Sequence, residues 1–151
     1  MPAADAGREK GDNNMIKELC ILVLLGLNSW KDIRKKEIFP AMTVAFGCAG
    51  LAAAFCQGKI TWEYFISIGI GAGIWGIGLL SKEGVGMGDG LLLAALGTVL
   101  RWEELLGILL TGVLCCGIWG LVLLTIFHKD RNTEIPFVPF ILLGYLGGLL
   151  L

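Results

Sequence analysis

Asp89 lies in Gly84-Val85-Gly86-Met87-Gly88-Asp89-Gly90, and the apolar run Leu91-Leu92-Leu93-Ala94-Ala95-Leu96 follows at once. A charged side chain in a membrane helix is expensive, about 2.5–3.5 kcal/mol on insertion scales at the helix centre, so its presence points to a task. Asp32 closes an earlier apolar segment, in Lys31-Asp32-Ile33-Arg34-Lys35-Lys36-Glu37. Two carboxylates at the ends of two apolar helices suit hydrolysis. One, ionised, takes a proton from water while the other, protonated, gives one to the scissile group. Close together they cannot both ionise cheaply, so proximity itself divides the roles. Gly86, Gly88 and Gly90 leave no side chains where a substrate backbone would pass Asp89, and with Met87 they form the expected active-site loop. Each aspartate also has a plain structural reading. Asp at a helix start is a favoured N-cap, and Asp32 beside Arg34, Lys35 and Lys36 suits an interfacial charge cluster. Their placement at one expected membrane face favours chemistry.

Apolar helices must hold these groups. Of 151 residues, 56% are hydrophobic and 17% charged, against about 25% charged in an average soluble domain, so the apolar excess is expected to face lipid. Six apolar segments run over about 16–30, 39–56, 64–80, 91–100, 105–127 and 135–151. A span needs about 20 residues, so the fourth must borrow from the glycine-rich approach or from Trp102-Glu103-Glu104. The expected fold is an all-α integral membrane protein of about six transmembrane helices, with one domain over 15–151. Residues 1–14 are polar, lack the apolar region of a signal peptide, and read as a disordered tail.

Basic residues set the orientation. The first, third and fifth connections carry Lys31, Arg34, Lys35, Lys36, Lys82, Lys129 and Arg131; the second and fourth carry Lys59 and Arg101. The odd connections are therefore expected in the cytoplasm, with the N-terminus outside and both aspartates at the cytoplasmic face of the cell membrane. Two glycine sets, Gly69, Gly71, Gly73, Gly76 and Gly78, then Gly144, Gly147 and Gly148, read as smooth packing faces. The five cysteines lie in or beside apolar runs without a CxxC pair, and the single histidine, His128, reads as a helix-end cap. No metal, cofactor or nucleic-acid site is expected.

Gly86-Met87-Gly88-Asp89 with Leu92-Leu93-Ala94-Ala95-Leu96-Gly97 resembles the GxGD-plus-LLAALG signature of type IV prepilin peptidases. Asp32-Ile33-Arg34-Lys35-Lys36-Glu37-Ile38-Phe39-Pro40 resembles their first aspartate motif, and Ile135-Pro136-Phe137-Val138-Pro139-Phe140 resembles their IPFGPF segment. The resemblance implies a membrane aspartyl peptidase with Asp32 and Asp89 catalytic. It would cleave prepilin-like proteins after a glycine between a basic leader and an apolar helix. Ile135, Pro136, Phe137 and Pro139 would lie near the site, and Glu37 and Glu83 would suit contacts to the basic leader. The chain departs from the family in three places. The lysine common after GxGD is absent, Phe39 is an extra residue before Pro40, and Val138 replaces a glycine. Nothing matches the paired-CxxC insertion of bifunctional members, so the resemblance implies a compact peptidase without methyltransferase activity. A degenerate scaffold of a pilus or secretion machine, or a small proton- or cation-coupled transporter, are the alternatives.

Overall fold

Backbone polar groups in apolar surroundings must bond to one another, which makes a helix the outcome for each apolar run. The computed structural model describes residues 2–35, 38–80, 87–128 and 135–150. Among them the regular structure is helical throughout: α1 (Pro2–Lys35), α2 (Pro40–Cys56), α3 (Trp62–Leu80), α4 (Met87–Gly97), α5 (Trp102–Thr125) and α6 (Val138–Leu150). α3 and α5 are long and apolar enough to cross a membrane, while α2, α4 and α6 are apolar but shorter. Large apolar side chains such as Phe55, Leu80, Trp119 and Leu121 point outward. α1 begins at Pro2, inside the polar stretch whose composition predicts a tail. Proline suits the first turn of a helix and alanine the residues behind it.

α4 is the axis of the fold. It borrows from the glycine-rich approach, starting at Met87, and stops at Gly97 before Trp102 is reached. Its 11 residues rise about 16 Å at 1.5 Å per residue, roughly half the thickness of a bilayer core. Leu92, Leu93 and Leu96 are wholly buried in one core with Ile21, Leu24 and Leu25 of α1, Leu105 of α5, and Val138 and Ile141 of α6. The small residues of α4 meet α2 and α3. A Cβ on Gly71 would strike the backbone of Ala94, one on Gly97 would sit 2.6 Å from the Ser67 carbonyl oxygen, and one on Gly47 would touch Ala95 at 3.5 Å.

This packing corrects the reading of the glycine sets as single faces. Gly71 and Gly78 are buried, but Gly69, Gly73 and Gly76 have open space where a side chain would stand. In α6, Gly144 meets the Ile108 carbonyl while Gly147 and Gly148 face open space. The 3.6-residue period places these residues on different sides of their helices, and only one side meets a neighbour.

A helix that ends inside the bundle leaves carbonyls without partners. α3 supplies them: the Ser67 hydroxyl donates to the Leu100 carbonyl at 2.8 Å, and the Tyr64 hydroxyl donates to the Thr98 carbonyl at 2.9 Å. Ser67 is almost wholly buried. Ser67→Ala should therefore destabilise the protein by about 1–3 kcal/mol, the range for a buried acceptor left unpaired. Gly69→Ala, whose Cβ meets nothing within 4 Å, should be neutral or stabilising. Unfolding curves in detergent micelles compare the two.

Candidate active site

Asp32 stands in the last turn of α1 and is only 7% exposed. Its Oδ2 accepts the backbone N–H of Val138 at 3.0 Å, across 106 positions of sequence. Val138 is the first residue of α6, so Asp32 acts as an N-terminal cap supplied by another helix, at the end where the helix dipole favours negative charge. The Ile135-Pro136-Phe137-Val138-Pro139 segment is suited to this. Pro136 and Pro139 have no N–H to give, and of the two amides between them that of Val138 is directed at this acceptor. Ile135, Pro136, Phe137 and Pro139 are all half-buried around the turn, so the C-terminal motif is brought to the first aspartate.

Asp89 is the third residue of α4 and half-buried. It is not the N-cap residue of this helix, and no hydrogen-bond donor reaches it among the described residues. Its neighbour Gly88 meets Ile38, six positions after Asp32, which places the two carboxylates at the same end of the bundle, within range of each other's charge. Cys116 of α5 also lies within reach of the Asp89 charge, so α5 borders the site. The neighbouring glycines do a different job from the one their sequence suggests. A Cβ on Gly90 would lie 2.6 Å from the Trp75 backbone nitrogen, and one on Gly88 would lie 2.8 Å from Ile38 Cδ1. The open sides of Gly88 and Gly90 are therefore filled by this chain's own α3 and its α1–α2 connection. Met87 is exposed beside them. Gly86, Glu37 and Glu83 lie outside the described residues.

Sequence reasoning missed Asn28. It sits one turn before Asp32 on the same side of α1 and is wholly buried. Its Oδ1 accepts the Phe39 N–H at 3.0 Å, and its Nδ2 donates to the Leu24 carbonyl at 3.0 Å and to Thr43 Oγ1 at 3.5 Å. Thr43 Oγ1 donates in turn to the Phe39 carbonyl at 2.8 Å, and Lys31 lies over the Phe39 ring at 4.0 Å. The extra Phe39 is thus the residue that anchors the connection to α1. Next to it, Ile38 fills the space beside Gly88, so one latch joins the helix carrying Asp32 to the turn carrying Asp89. The available signal was a lone amide within Leu24-Leu25-Gly26-Leu27-Asn28, since a buried polar group needs partners.

Among the described residues no cluster of histidine, cysteine and carboxylate side chains could hold a metal. The described residues thus form a helical bundle with two membrane-length helices and two aspartates at one end. A sequence model of the type IV leader peptidase family matches residues 19–121, and the chain belongs to that family. It is 41% identical over 68 residues to a prepilin leader peptidase/N-methyltransferase of Aeromonas salmonicida (strain A449), covering 44% of this chain and 23% of that one. The corresponding protein of Aeromonas hydrophila is 40% identical over 68 residues, with the same coverage. The chain thus aligns with about a quarter of the length of these curated relatives. No solved structure matches it.

The cap separates two roles of Asp32. Asp32→Asn keeps an oxygen acceptor for Val138 and should leave thermal stability within about 1 kcal/mol, whereas Asp32→Leu strands a buried amide and should lose about 1–3 kcal/mol. Unfolding of the two variants in one detergent reads the difference.

Proposed function

We propose that the chain is a membrane aspartyl endopeptidase that removes the leader of prepilin-like proteins. Family membership supports the peptidase class, and the observation that carries the aspartyl assignment is the placement of Asp32 and Asp89 at one end of the bundle, where Gly88 packs on Ile38.

The hydrogen bonds divide the labour. Asp32 Oδ2 is held by the Val138 amide, which leaves Oδ1 to take a proton from water as the oxygen adds to the scissile carbonyl. Asp89, which no donor reaches among the described residues, gives its proton to that carbonyl oxygen. Collapse of the tetrahedral diol then breaks the C–N bond: one of its hydroxyls returns a proton to Asp89 as the carbonyl re-forms, and the proton gained by Asp32 passes to the leaving amine. Each cycle restores one ionised and one protonated carboxylate. The N-terminus of α6 serves Asp32 as a fixed dipole in place of a metal or a basic side chain.

The remaining assignments follow from charge and chemistry. All six helices sit in the cell membrane, with the N-terminus outside and the aspartates at the cytoplasmic face. Arg34 and Lys35 flank Asp32 there, in keeping with the positive-inside rule. Cleavage follows a glycine, because the smallest residue allows the closest backbone approach to a crowded carboxylate pair. Glu37 and Glu83 belong to the connections nearest the two aspartates and suit a basic leader. No CxxC pair occurs in the sequence, so the activity proposed is cleavage without N-methylation.

Co-expression with a reporter pilin carrying a basic leader, a glycine and an apolar helix tests this. Wild type should process the reporter; Asp32→Asn and Asp89→Asn should not, although both variants fold. Processing by all three would reduce the aspartates to structural groups, and processing by none of them across several pilins would favour a scaffold. Asn28→Ala should slow cleavage by up to about 100-fold, the scale for a displacement of about 1 Å at a reacting group, without abolishing it.

A further inference from the structure

A cavity of about 560 Å³ opens between α1, α5 and α6, lined by the first residues of α5 and the last of α6. It lies far from the aspartates: Lys17 on its rim is 15 positions before Asp32 on α1, about 22 Å along the helix. Its volume is within the range of ligand sites, about 300–1,000 Å³.

Its chemistry is of mixed sign. Lys17, Glu18 and Glu104 line it together with Tyr145. None of the three charges makes an ion pair among the described residues. Glu104 uses one oxygen, Oε2, to accept the Arg101 N–H at 3.3 Å, which leaves Oε1 free. Tyr145 is only 5% exposed, and its hydroxyl has no partner among the described residues; it lies within the fields of Glu18 and Glu104. The hydroxyl is not sealed off, since every sealed side-chain nitrogen and oxygen among the described residues has a partner, and the cavity is where a hydrogen bond is available to it. Gly107 and Gly148 form part of the wall, and a Cβ at either would meet nothing within 4 Å. The space beside these glycines is therefore open.

We propose that this cavity holds the headgroup of a bilayer aminophospholipid. The wall fits both charges of phosphoethanolamine. A primary ammonium donates to Glu18 and Glu104, while the phosphate oxygens accept from Lys17 and the Tyr145 hydroxyl. Two carboxylates disfavour a purely anionic headgroup, and a trimethylated ammonium has no hydrogens to donate to them. The cavity opens at the N-terminus of α5, a membrane-length helix whose first residues, Trp102, Glu103 and Glu104, are of the type found at headgroup depth. The proposal rests on the membrane placement of the bundle and not on the peptidase chemistry.

Native mass spectrometry of the full chain, released from nanodiscs of equimolar phosphatidylethanolamine, phosphatidylglycerol and phosphatidylcholine, provides the test. One phosphatidylethanolamine should be retained over each of the others by about tenfold, the discrimination of a single charge-assisted hydrogen bond pair. Glu18→Gln with Glu104→Gln should remove that preference. Gly107→Leu, which fills open space rather than an occupied contact, should remove the bound lipid while leaving helical content and reporter cleavage intact. Equal retention of the three lipids, or a preference that survives both variants, would overturn the proposal. So would displacement of the lipid by the apolar segment of a reporter pilin, which would assign the cavity to substrate.

Discussion

The hydrogen bond from the Val138 amide to Asp32 Oδ2 is the contact on which the site depends. It joins the end of α1 to the start of α6 and holds a carboxylate that is only 7% exposed. Isolated ionised carboxylates are rarely buried, because the loss of hydration is large. Here a helix N-terminus and its free amides replace the water. The same contact occupies one of Asp32's two oxygens. Asp32 is therefore a cap to another helix, where its sequence context suggests an interfacial charge cluster, and Asp89, whose context suggests a cap, is not the N-cap of α4.

The second constraint is the short helix. α4 must bring Asp89 to the end of the bundle where Asp32 lies, yet its 11 residues do not extend through a bilayer. Two consequences follow. Its lower end must have its carbonyls satisfied from α3, which Ser67 and Tyr64 do. Most of its surface beyond the first turn is packed, with leucines toward α1, α5 and α6 and small residues toward α2 and α3. Gly90 and Gly97 are the positions where the backbones of α3 and α4 come too close for a side chain. That close packing positions Asp89, which no hydrogen-bond donor reaches among the described residues.

What could be read in advance was what local sequence encodes. Alternating apolar runs and charged or Gly/Pro breaks show six helices, and Asp32 and Asp89 stand at run ends that the fold brings to one end of the bundle. Long-range partnerships could not be read. Nothing local to Lys31-Asp32-Ile33 indicates an amide 106 residues away, and nothing in Leu27-Asn28-Ser29 indicates that its acceptor is Phe39. The glycines show the same limit. Periodicity says which residues share a side of a helix, but the partner helix decides which side is buried, so Gly71 packs while Gly69 and Gly73 do not. The polar start of α1 shows it from another direction, since composition there suggests a tail while the helix begins at Pro2.

The central claim, that Asp32 and Asp89 face each other at one end of the bundle, has a direct test. Cysteines are placed at 32 and 89 in a background whose five native cysteines are replaced, and the membranes are treated with a short bifunctional thiol reagent. A single intramolecular cross-link, formed in high yield and absent from each single-cysteine control, is the result the account predicts. No cross-link, or labelling of the two positions from opposite sides of the membrane, would contradict it.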